Sequence, residues 1–339
     1  MKYISEEHFR GMTKGILRNG DVLIVKDGAT TGKTGFFVHD IPSAVNEHVF
    51  ILRAKEVIQP FYIYWIVRSE AFQGKLRPFI KGIIGGISLE FTGITIPLPP
   101  MDAQKEIVAE IESYQKIVEG ARATVDNYRP RITAYPDWPT VELGEVIQEK
   151  PKNGYSGKPV DRVSNIKVLS LSATTSGRLD LTKYKYLDEY ISRDSPYRCK
   201  MGDIYLQRGN TAELVGTAAL FDVEEEDFIY PDLMIRVRAD ERKILPQYLL
   251  VALQSEPVRT YLKRNAIGAA GNMPKINQGI VERIPLRLPP LVMQQAIVAE
   301  IEAEQALVAS NRELIDRFEK KIQTTLARIW GEDEPAPSN

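Results

Sequence analysis

The stretch GATTGKT at residues 28–34 is the part of this sequence that most resembles a phosphate-binding loop. A P-loop needs four residues between its two glycines, because that length lets backbone N–H groups surround a phosphate. Only three residues separate Gly28 from Gly32. The stretch therefore predicts a turn that joins two strands, in which Lys33 remains available to contact a phosphate of a larger ligand.

Catalytic and metal-binding patterns are otherwise missing from the sequence. Cys199 is the only cysteine, which excludes a disulfide framework and a multi-cysteine metal site. The histidines at positions 8, 39 and 48 lack the i,i+4 spacing of zinc ligands on a helix. No Asn-Pro-Pro-aromatic tetrapeptide, the usual catalytic motif of DNA amino-methyltransferases, occurs. We therefore predict no catalytic residue, no metal and no cofactor.

The charge distribution is more informative than the net charge of −1. A near-neutral chain argues against a nucleic-acid binder. However, residues 1–100 carry 12 basic and 9 acidic side chains, and residues 138–290 carry 22 and 20. Residues 101–137 and 291–339 are acidic, with net charges of −2 and −4. The signs fit two globular parts that approach phosphates and two connecting parts that do not.

Composition places the chain among globular proteins that do not span a membrane. The hydrophobic share of 43% and the charged share of 26% are ordinary for such proteins. No apolar run approaches the ~18 residues of a membrane span. The first residues contain no apolar segment of the secretory type. Together with the single cysteine, this predicts a cytoplasmic protein with no membrane partner.

The sequence contains two copies of one module. Residues 98–112 read LPPMDAQKEIVAEIE and residues 288–302 read LPPLVMQQAIVAEIE, with ten of fifteen positions identical. Earlier matches follow in the same order and are Lys2–Ser5 with Lys185–Asp188, Gly20-Asp21 with Gly202-Asp203, Pro60 with Pro246, and Ser69-Glu70 with Ser255-Glu256. The second copy has additional residues, 138–184, ahead of the point that corresponds to the start of the first copy. We therefore expect the first copy to be truncated, or the chain to be a piece of a longer product.

Each copy is predicted to be an α+β domain, because short β-branched and aromatic runs alternate with a helix that starts at a proline. The first copy predicts strands at 21–26, 35–38, 46–52 and 94–98, a helix at 59–68 and a glycine-rich loop at 82–86. The second copy predicts strands at 202–208, 216–221, 231–238 and 284–288, a helix at 246–254 and a loop at 267–274.

A long helix follows each copy, and each helix carries apolar residues at alternating spacings of three and four. At 1.5 Å per residue, the helices reach about 45 Å and roughly 60 Å. We predict that they pair as an antiparallel coiled coil, and that Pro130, Pro136 and Pro139 form a stiff linker. The predicted pairing residues are Ile107, Ile111, Val118 and Val125 in the first helix, and Ile297, Ile301, Val308, Ile315 and Ile322 in the second.

The proline-to-helix junction resembles the exit of a target recognition domain in specificity subunits of type I restriction–modification systems. The matching residues are IPLPP with Gln104, Ile107 and Glu112, and LPP with Gln294, Ile297 and Glu302. GDVLIVKDGATTGKTGFF is similar to the strand–turn–strand signature of that family, and DWPTVELGEV is similar to the start of a domain. The resemblance covers nearly the whole chain.

This resemblance implies a subunit that reads DNA without catalysing a reaction. In the family, two target recognition domains each read half of a split site in double-stranded DNA, and two antiparallel helices separate them. The methyltransferase (M) and restriction (R) subunits supply the chemistry with S-adenosylmethionine and ATP. The expected partners are therefore DNA, M subunits, the R subunit and, because the first copy is clipped, a second specificity chain.

The resemblance also selects candidate DNA contacts among basic and amide side chains of the loops. Arginine pairs with guanine and asparagine or glutamine with adenine, whereas lysine mainly contacts phosphates. The candidates are Lys33, Lys75, Arg77 and Lys81 in the first copy, and Arg198, Lys200, Gln207, Arg208, Asn210, Lys263, Arg264, Asn272 and Lys275 in the second.

The predicted layout has five parts. They are residues 1–100, a partial target recognition domain; 101–137, a spacer helix and linker; 138–290, a second target recognition domain; 291–330, a second spacer helix; and 331–339, a disordered tail. Two alternatives remain open. In the first alternative to a specificity subunit, the chain is the C-terminal specificity part of a fused DNA adenine methyltransferase. In the second, it is a coiled-coil interaction module that does not read DNA.

Overall fold

The computed structural model describes residues 4–82, 85–132, 137–268 and 273–331, and it has a mixed α+β fold. The chain forms two compact units. Unit 1 comprises Met1–Tyr128 and Val308–Asn339, and unit 2 comprises Arg129–Leu307. The tail predicted at 331–339 lies, apart from Gly331, outside the described residues, and so do Pro136 and Asn272.

Unit 1 is built on a three-stranded antiparallel sheet with helices against one face. The sheet order is β2-β1-β3, with β1 in the centre. The elements of unit 1 are α1 (Glu6–Gly11), β1 (Val22–Val25), β2 (Thr34–Phe36), β3 (Val49–Leu52), α2 (Pro60–Arg68), α3 (Glu70–Leu76), β4 (Ile80–Lys81), β5 (Gly86–Ile87) and α4 (Met101–Asn127).

The core of unit 1 follows from the alternation along β1. Val22 and Ile24 are fully buried and join a cluster with Tyr62 and Ile66 of α2. Pro60 occupies the first turn of α2, where its missing N–H costs no helical hydrogen bond. The predicted helix and the first three of the four predicted strands are confirmed, with bounds that differ by up to three residues.

Unit 2 has two four-stranded sheets, ordered β12-β11-β14-β7 and β13-β9-β10-β8. Its elements are β6 (Thr140–Glu142), β7 (Lys152–Asn153), β8 (Pro159–Val160), β9 (Ile166–Leu169), β10 (Tyr184–Leu187), β11 (Asp203–Gln207), β12 (Ala218–Leu220), β13 (Phe228–Ile229), β14 (Met234–Arg238), α5 (Pro246–Gln254), α6 (Glu256–Asn265), α7 (Gln278–Glu282) and β15 (Pro285–Arg287), followed by α8 (Leu291–Ile329), which continues into unit 1.

The central strand β11 is buried at every position, because both of its faces are covered. Ile204 and Leu206 face a core that includes Tyr248 and Leu249 of α5. On the other face, Tyr205 packs in an aromatic cluster with residues of β9 and β13. The second sheet therefore covers the outer face of the first.

The sequence repeat reappears in three dimensions as the same sheet with the same register. Val22 pairs with Leu52 in unit 1, and Ile204 pairs with Val237 in unit 2. Gly20 and Gly202 precede the central strands, and both have a φ of +88°, which favours glycine.

A pair between a buried aspartate and an arginine is also repeated. Arg53 Nε donates to Asp21 Oδ1 at 2.7 Å, and Arg238 Nε donates to Asp203 Oδ1 at 2.7 Å. Burial by itself raises the pKa of Asp21, but hydrogen bonds from Arg53 and from the backbone of Arg18 outweigh it, so the pKa is lowered.

The strand predicted at residues 94–98 is wrong. These residues follow a 3-10 turn at Leu89–Gly93 and have no strand partner within the described part of the chain. The corresponding segment of unit 2 is a strand, β15, because β6 pairs with it antiparallel. The same local sequence pattern therefore yields a strand only where a second segment supplies hydrogen bonds.

Both predicted long helices are present. The first, α4, has 27 residues, and α8 has 39. Their contacts within unit 1 run in opposite order: Glu110 accepts hydrogen bonds from Thr325 and Arg328, whereas Arg122, further along α4, pairs with Glu319. The two helical stretches of unit 1 are therefore antiparallel. In the four described ranges, no helix is long and apolar enough to cross a membrane.

The predicted pairing residues separate into two groups. In unit 1, Ile111, Val118, Val308 and Ile322 are buried, and Ile107, Val125 and Ile315 are half-buried. In unit 2, Ile301 is buried and Ile297 packs against the core of that unit. The pairing role predicted for Ile297 is thus replaced by a contact with its own domain, because the first turns of α8 lie on unit 2.

Candidate functional site

Three loops meet at the end of the central strand in each unit, and we call this arrangement the loop junction. In unit 2, the Arg208 backbone N–H donates to Leu233 O at 2.7 Å, and Ile276 N–H donates to Arg208 O at 2.8 Å. In unit 1, Lys26 N–H donates to His48 O at 2.8 Å, and Ile87 N–H donates to Lys26 O at 2.8 Å. Within the described residues, the loop junctions comprise residues 26–33, 46–48, 81–82 and 85–86 of unit 1, and residues 208–217, 231–233, 267–268 and 273–275 of unit 2.

The turn that leaves the central strand is closed in the same way in both units. Gly32 N–H donates to Val25 O at 2.9 Å, and Gly216 N–H donates to Gln207 O at 2.8 Å. Both glycines have a positive φ, of +82° and +73°. The residues that most resembled a phosphate-binding loop therefore form a strand-joining turn, as their spacing predicts.

A basic residue stands at the centre of each loop junction. The Arg208 side chain is 30% exposed, and its Nη1 lies 3.9 Å from Asp232 Oδ2. The equivalent Lys26 is half-buried, with Nζ 5.8 Å from the centre of the Phe50 ring. Lys26 is absent from the sequence-based candidates, although the alignment of GDVLIVK with GDIYLQR places it opposite Arg208.

Further predicted cations surround the two junctions. Lys33 and Lys275 are exposed, and Lys275 forms bridges to Gly209 and Ile267 through its backbone. Lys81 is exposed and pairs with Glu90 at 3.2 Å, and its hydrogen bond lowers the pKa of that carboxyl. These side chains keep cationic groups at the solvent-facing end of each unit.

A second group of predicted cations lies near the ends of helices. Arg77 follows the buried Leu76, and Lys263 follows the buried Leu262. Lys263 also pairs with Glu213 at 2.7 Å, which connects α6 to the turn of the loop junction. Both Arg77 and Arg264 are exposed.

Lys75 has a different neighbour. Its Nζ lies 5.5 Å from the centre of the Trp330 ring, at the end of α8.

Gln207 is placed differently from its predicted role. Its side chain is fully buried, because the 3-10 turn at Leu171–Thr174 lies against this end of β11. The amide donates to Leu171 O at 2.9 Å and to Thr174 Oγ1 at 3.0 Å, and its oxygen accepts from Asn210 at 2.6 Å. Gln207 and Asn210 therefore hold the loop junction together, and a base edge would have to displace these bonds.

Arg198 and Lys200 lie near the start of β11, whereas Arg208 follows its end. A five-residue strand separates the two ends by about 17 Å. The Arg198 guanidinium donates to three backbone oxygens, at Ile191, Ser192 and Glu226. This saturation fits a structural role for Arg198, whereas Lys200 remains exposed.

Cys199 belongs to the core beside these residues. It is buried in the aromatic cluster of unit 2. Burial raises the pKa of its thiol to about 12, so the thiolate form is scarce at neutral pH.

The fold and the two loop junctions define a class of protein in which one domain plan is repeated along a chain. Residues 135–320 match the family model described as the type I restriction modification DNA specificity domain. The match spans more than half of the chain, and the chain belongs to this family. The predicted family is confirmed: the protein is a specificity subunit, the non-catalytic DNA-recognition component of a type I restriction–modification system.

Curated relatives are similar along most of the chain. The type I restriction enzyme EcoKI specificity subunit of Escherichia coli K12 is 22% identical, over 91% of this chain and 71% of the relative. The StySPI specificity subunit of Salmonella potsdam is also 22% identical, with the same coverage. A chain from a solved type I restriction–modification system is 17% identical and has a TM-score of 0.59, over 95% of this chain and 85% of that chain. This structural similarity supports the fold.

Proposed function

We propose that this subunit directs methyltransferase and endonuclease subunits to a bipartite site in double-stranded DNA. The observation that carries the proposal is the repeated loop junction, with Lys26 at the centre of one and Arg208 at the centre of the other. Two copies of one recognition surface in one chain are suited to two separate DNA half-sites. A tether of fixed length between two such surfaces sets the half-site spacing.

The proposed DNA contacts are the cations at the junctions. Arginine at the Arg208 position can form paired hydrogen bonds with guanine, and the exposed lysines neutralise phosphates. The proposed contacts are Lys26, Lys33, Arg77 and Lys81 in unit 1, and Arg208, Lys263, Arg264 and Lys275 in unit 2. Asn272, which lies outside the described residues, is proposed from the sequence alone.

The proposed assembly contains M and R subunits that hold the S-adenosylmethionine and ATP chemistry. The antiparallel packing of α4 on residues 308–329 supports a role for these helices as a coiled-coil spacer. The proposed layout keeps the two recognition domains and the two spacer helices as separate parts. The assembly acts in the cytoplasm.

The test loads the purified chain with its M subunits and measures binding to DNA of selected sequence by fluorescence anisotropy. We expect sequence-specific binding that weakens by about 10³–10⁵ between 50 and 200 mM salt, because phosphate contacts release counterions. Changing both Lys26 and Arg208 to alanine should remove specific binding. Lys200→Ala, at the other end of β11, is the matched control and should retain it.

Each outcome separates the proposal from its alternatives. If the loaded, unaltered complex binds no DNA, the chain is an interaction module and the proposal is wrong. If the double variant keeps full specificity, the loop junctions are not the recognition surfaces. An in-frame methyltransferase gene directly upstream would identify the chain as the specificity part of a fusion.

A further inference from the structure

The turn that leaves the central strand of unit 2 is held by a side chain of α6. Arg259 Nη1 donates to Val215 O at 2.8 Å, and Arg259 Nη2 donates to Glu213 O at 2.7 Å. Residues 211–213, which form the tip of this turn, are exposed, whereas Val215 and Gly216 are buried. The half-buried arginine therefore fixes the place where the exposed tip of the loop junction joins the core of its domain.

Unit 1 holds its turn from the same position, but with a weaker contact. The alignment of the two copies places Gln73 of α3 opposite Arg259. Gln73 Nε2 donates to Gly32 O at 3.3 Å, and it also donates to Val67 O at 2.7 Å. The guanidinium bonds of unit 2 to the turn are shorter and charge-assisted, and each terminal nitrogen serves one carbonyl of the turn. They are therefore the stronger of the two contacts.

A buried leucine on each of these helices packs against the glycine that ends the turn. Leu76 of α3 and Leu262 of α6 are fully buried. A Cβ atom added to Gly32 would lie 3.7 Å from Leu76 Cδ2, and one added to Gly216 would lie 2.7 Å from Leu262 Cδ1. Both copies therefore hold the end of the turn with two helical residues that are three positions apart.

Glu213, at the tip of the unit 2 turn, is bound twice by α6. Its carboxylate pairs at 2.7 Å with Lys263, one helical turn after Arg259. This ion pair lies in solvent, with 40% of the lysine and 82% of the glutamate side chain exposed, so its contribution to stability is small. Arg259 instead binds main-chain oxygens of the turn, and it is therefore the side chain of α6 that fixes the backbone.

The residues of the turn determine what its displacement would change. The turn begins at Arg208, the proposed guanine contact, and Gly216 N–H closes it on Gln207 O at 2.8 Å. Residues 211–213 contain no basic side chain. Displacement of the turn would therefore alter how Arg208 is presented to a base, without removing a cation that neutralises a phosphate.

We propose that Arg259 is a positioning residue for DNA recognition by unit 2, and that Gln73 has the same role in unit 1. Each side chain fixes the turn that begins at the central cation of its loop junction, and neither contacts DNA itself. The stronger contact of Arg259 makes the turn of unit 2 the more rigid one before DNA binds, so it has less conformational freedom to lose on binding. This role rests on the proposed recognition of DNA by the loop junctions.

Hydrogen exchange in the full chain without DNA tests the hold on the turn. The N–H groups of Leu214 and Val215 donate to Thr211 O at 3.0 and 2.9 Å. In Arg259→Gln, which has the side chain of unit 1 at this position, these two amides should exchange about tenfold faster, because the turn opens more often. The amides of the central strand β11 should exchange at unchanged rates, which checks that the domain remains folded.

DNA binding by the M-loaded complex then separates a positioning role from a direct contact. Arg259→Gln and Arg259→Lys should each relax base preference in one half-site by about tenfold, since lysine retains the charge but lacks the fork of two donors. The dependence of affinity on salt should stay unchanged. Gln73→Leu should relax the other half-site. Arg283→Gln makes the same change of charge at an exposed position after α7 and should match the unaltered chain in every measurement.

Several results would overturn the proposal. Unchanged exchange of Leu214 and Val215 in Arg259→Gln would mean that Arg259 does not hold the turn, whatever the DNA result. A salt slope lower by about one, with full rescue by Arg259→Lys, would make Arg259 a phosphate contact. Faster exchange with unchanged base preference would restrict Arg259 to a structural role. If the unaltered complex binds no DNA, the proposed function itself fails, and the exchange result alone would describe a structural residue.

Discussion

Two buried glutamines fasten the long helices to their domains. Leu245 N–H donates to Gln294 Oε1 at 2.8 Å, and Gln294 Nε2 donates to Lys243 O and Pro289 O. Gln104 makes the same three bonds, with Gln59, Val57 and Pro99. The glutamine of the repeated motif therefore sets where each helix leaves its domain.

Removal of this side chain should be costly. Gln294→Ala is expected to lower the free energy of unfolding by about 2–4 kcal/mol, because the N–H of the half-buried Leu245 loses its acceptor and two carbonyls lose a donor. The neighbouring Gln295 is exposed, and Gln295→Ala should change stability by less than about 0.5 kcal/mol. Urea unfolding of both variants measures the difference. Equal losses would contradict the role of Gln294.

A second prediction concerns the loop junction of unit 1. His48 Nδ1 lies 2.7 Å from Asp27 Oδ1, and this hydrogen bond raises the pKa of the imidazole above its ordinary value of 6.5. A raised pKa in the folded chain means that the pair stabilises fully below pH 6.5, and that this contribution is lost as pH rises through the folded pKa.

The pKa of His48 can be measured by an NMR pH titration. It should lie above 6.5 in the unaltered chain and fall towards 6.5 in Asp27→Asn. Urea unfolding of the two chains should differ more at pH 5.5 than at pH 8.5. A His48 pKa unaffected by Asp27→Asn would contradict the pairing.

At the level of elements, unit 1 depends on the packing of α4 and residues 308–329. Ile111 is fully buried in the core that includes Ile322 and Leu326 of α8. Tyr114 and Phe318 meet with ring centres 5.5 Å apart. The apolar seam that the heptad spacing predicts is thus part of the core of a domain.

Two isoleucines on α4 provide a matched test of this seam. Ile111→Ala should lower the free energy of unfolding by about 2–4 kcal/mol, because it leaves a cavity in the core. Ile117 is 37% exposed, and Ile117→Ala should cost clearly less. Thermal unfolding of the two variants compares them. A larger loss for Ile117 would mean that the buried side of α4 is misassigned.

At the level of the whole molecule, the presence of two loop junctions leads to a prediction about the two halves of the DNA site. If each junction reads one half-site, and Lys26 and Arg208 each contact the acceptors of a guanine, Lys26→Ala and Arg208→Ala should relax base preference in different halves of the DNA site, by about 1–3 kcal/mol each. Selection from random DNA with the M-loaded complex shows which base pairs are affected. Relaxation of the same base pairs by both variants would contradict a bipartite site.

Local patterns in the sequence determined the repeat and the positions of the main helices. The repeat, the starts of α2 and α5 at Pro60 and Pro246, and the lengths of α4 and α8 follow from proline geometry and apolar spacing over neighbouring residues. The repeat also indicated the family, because each copy has the same order of strands and ends in the same proline-to-helix junction with its buried glutamine.

Only the tertiary structure decided which polar side chains are exposed and which loops lie together. Gln207 is polar and ends a strand, but a turn made of distant residues, Leu171–Thr174, buries it. Residues 94–98 have a strand pattern without a strand, because pairing needs a second segment. Lys26 belongs to the loop junction only because three separate loops meet there. Burial and strand pairing depend on contacts between distant residues, which a local sequence pattern does not contain.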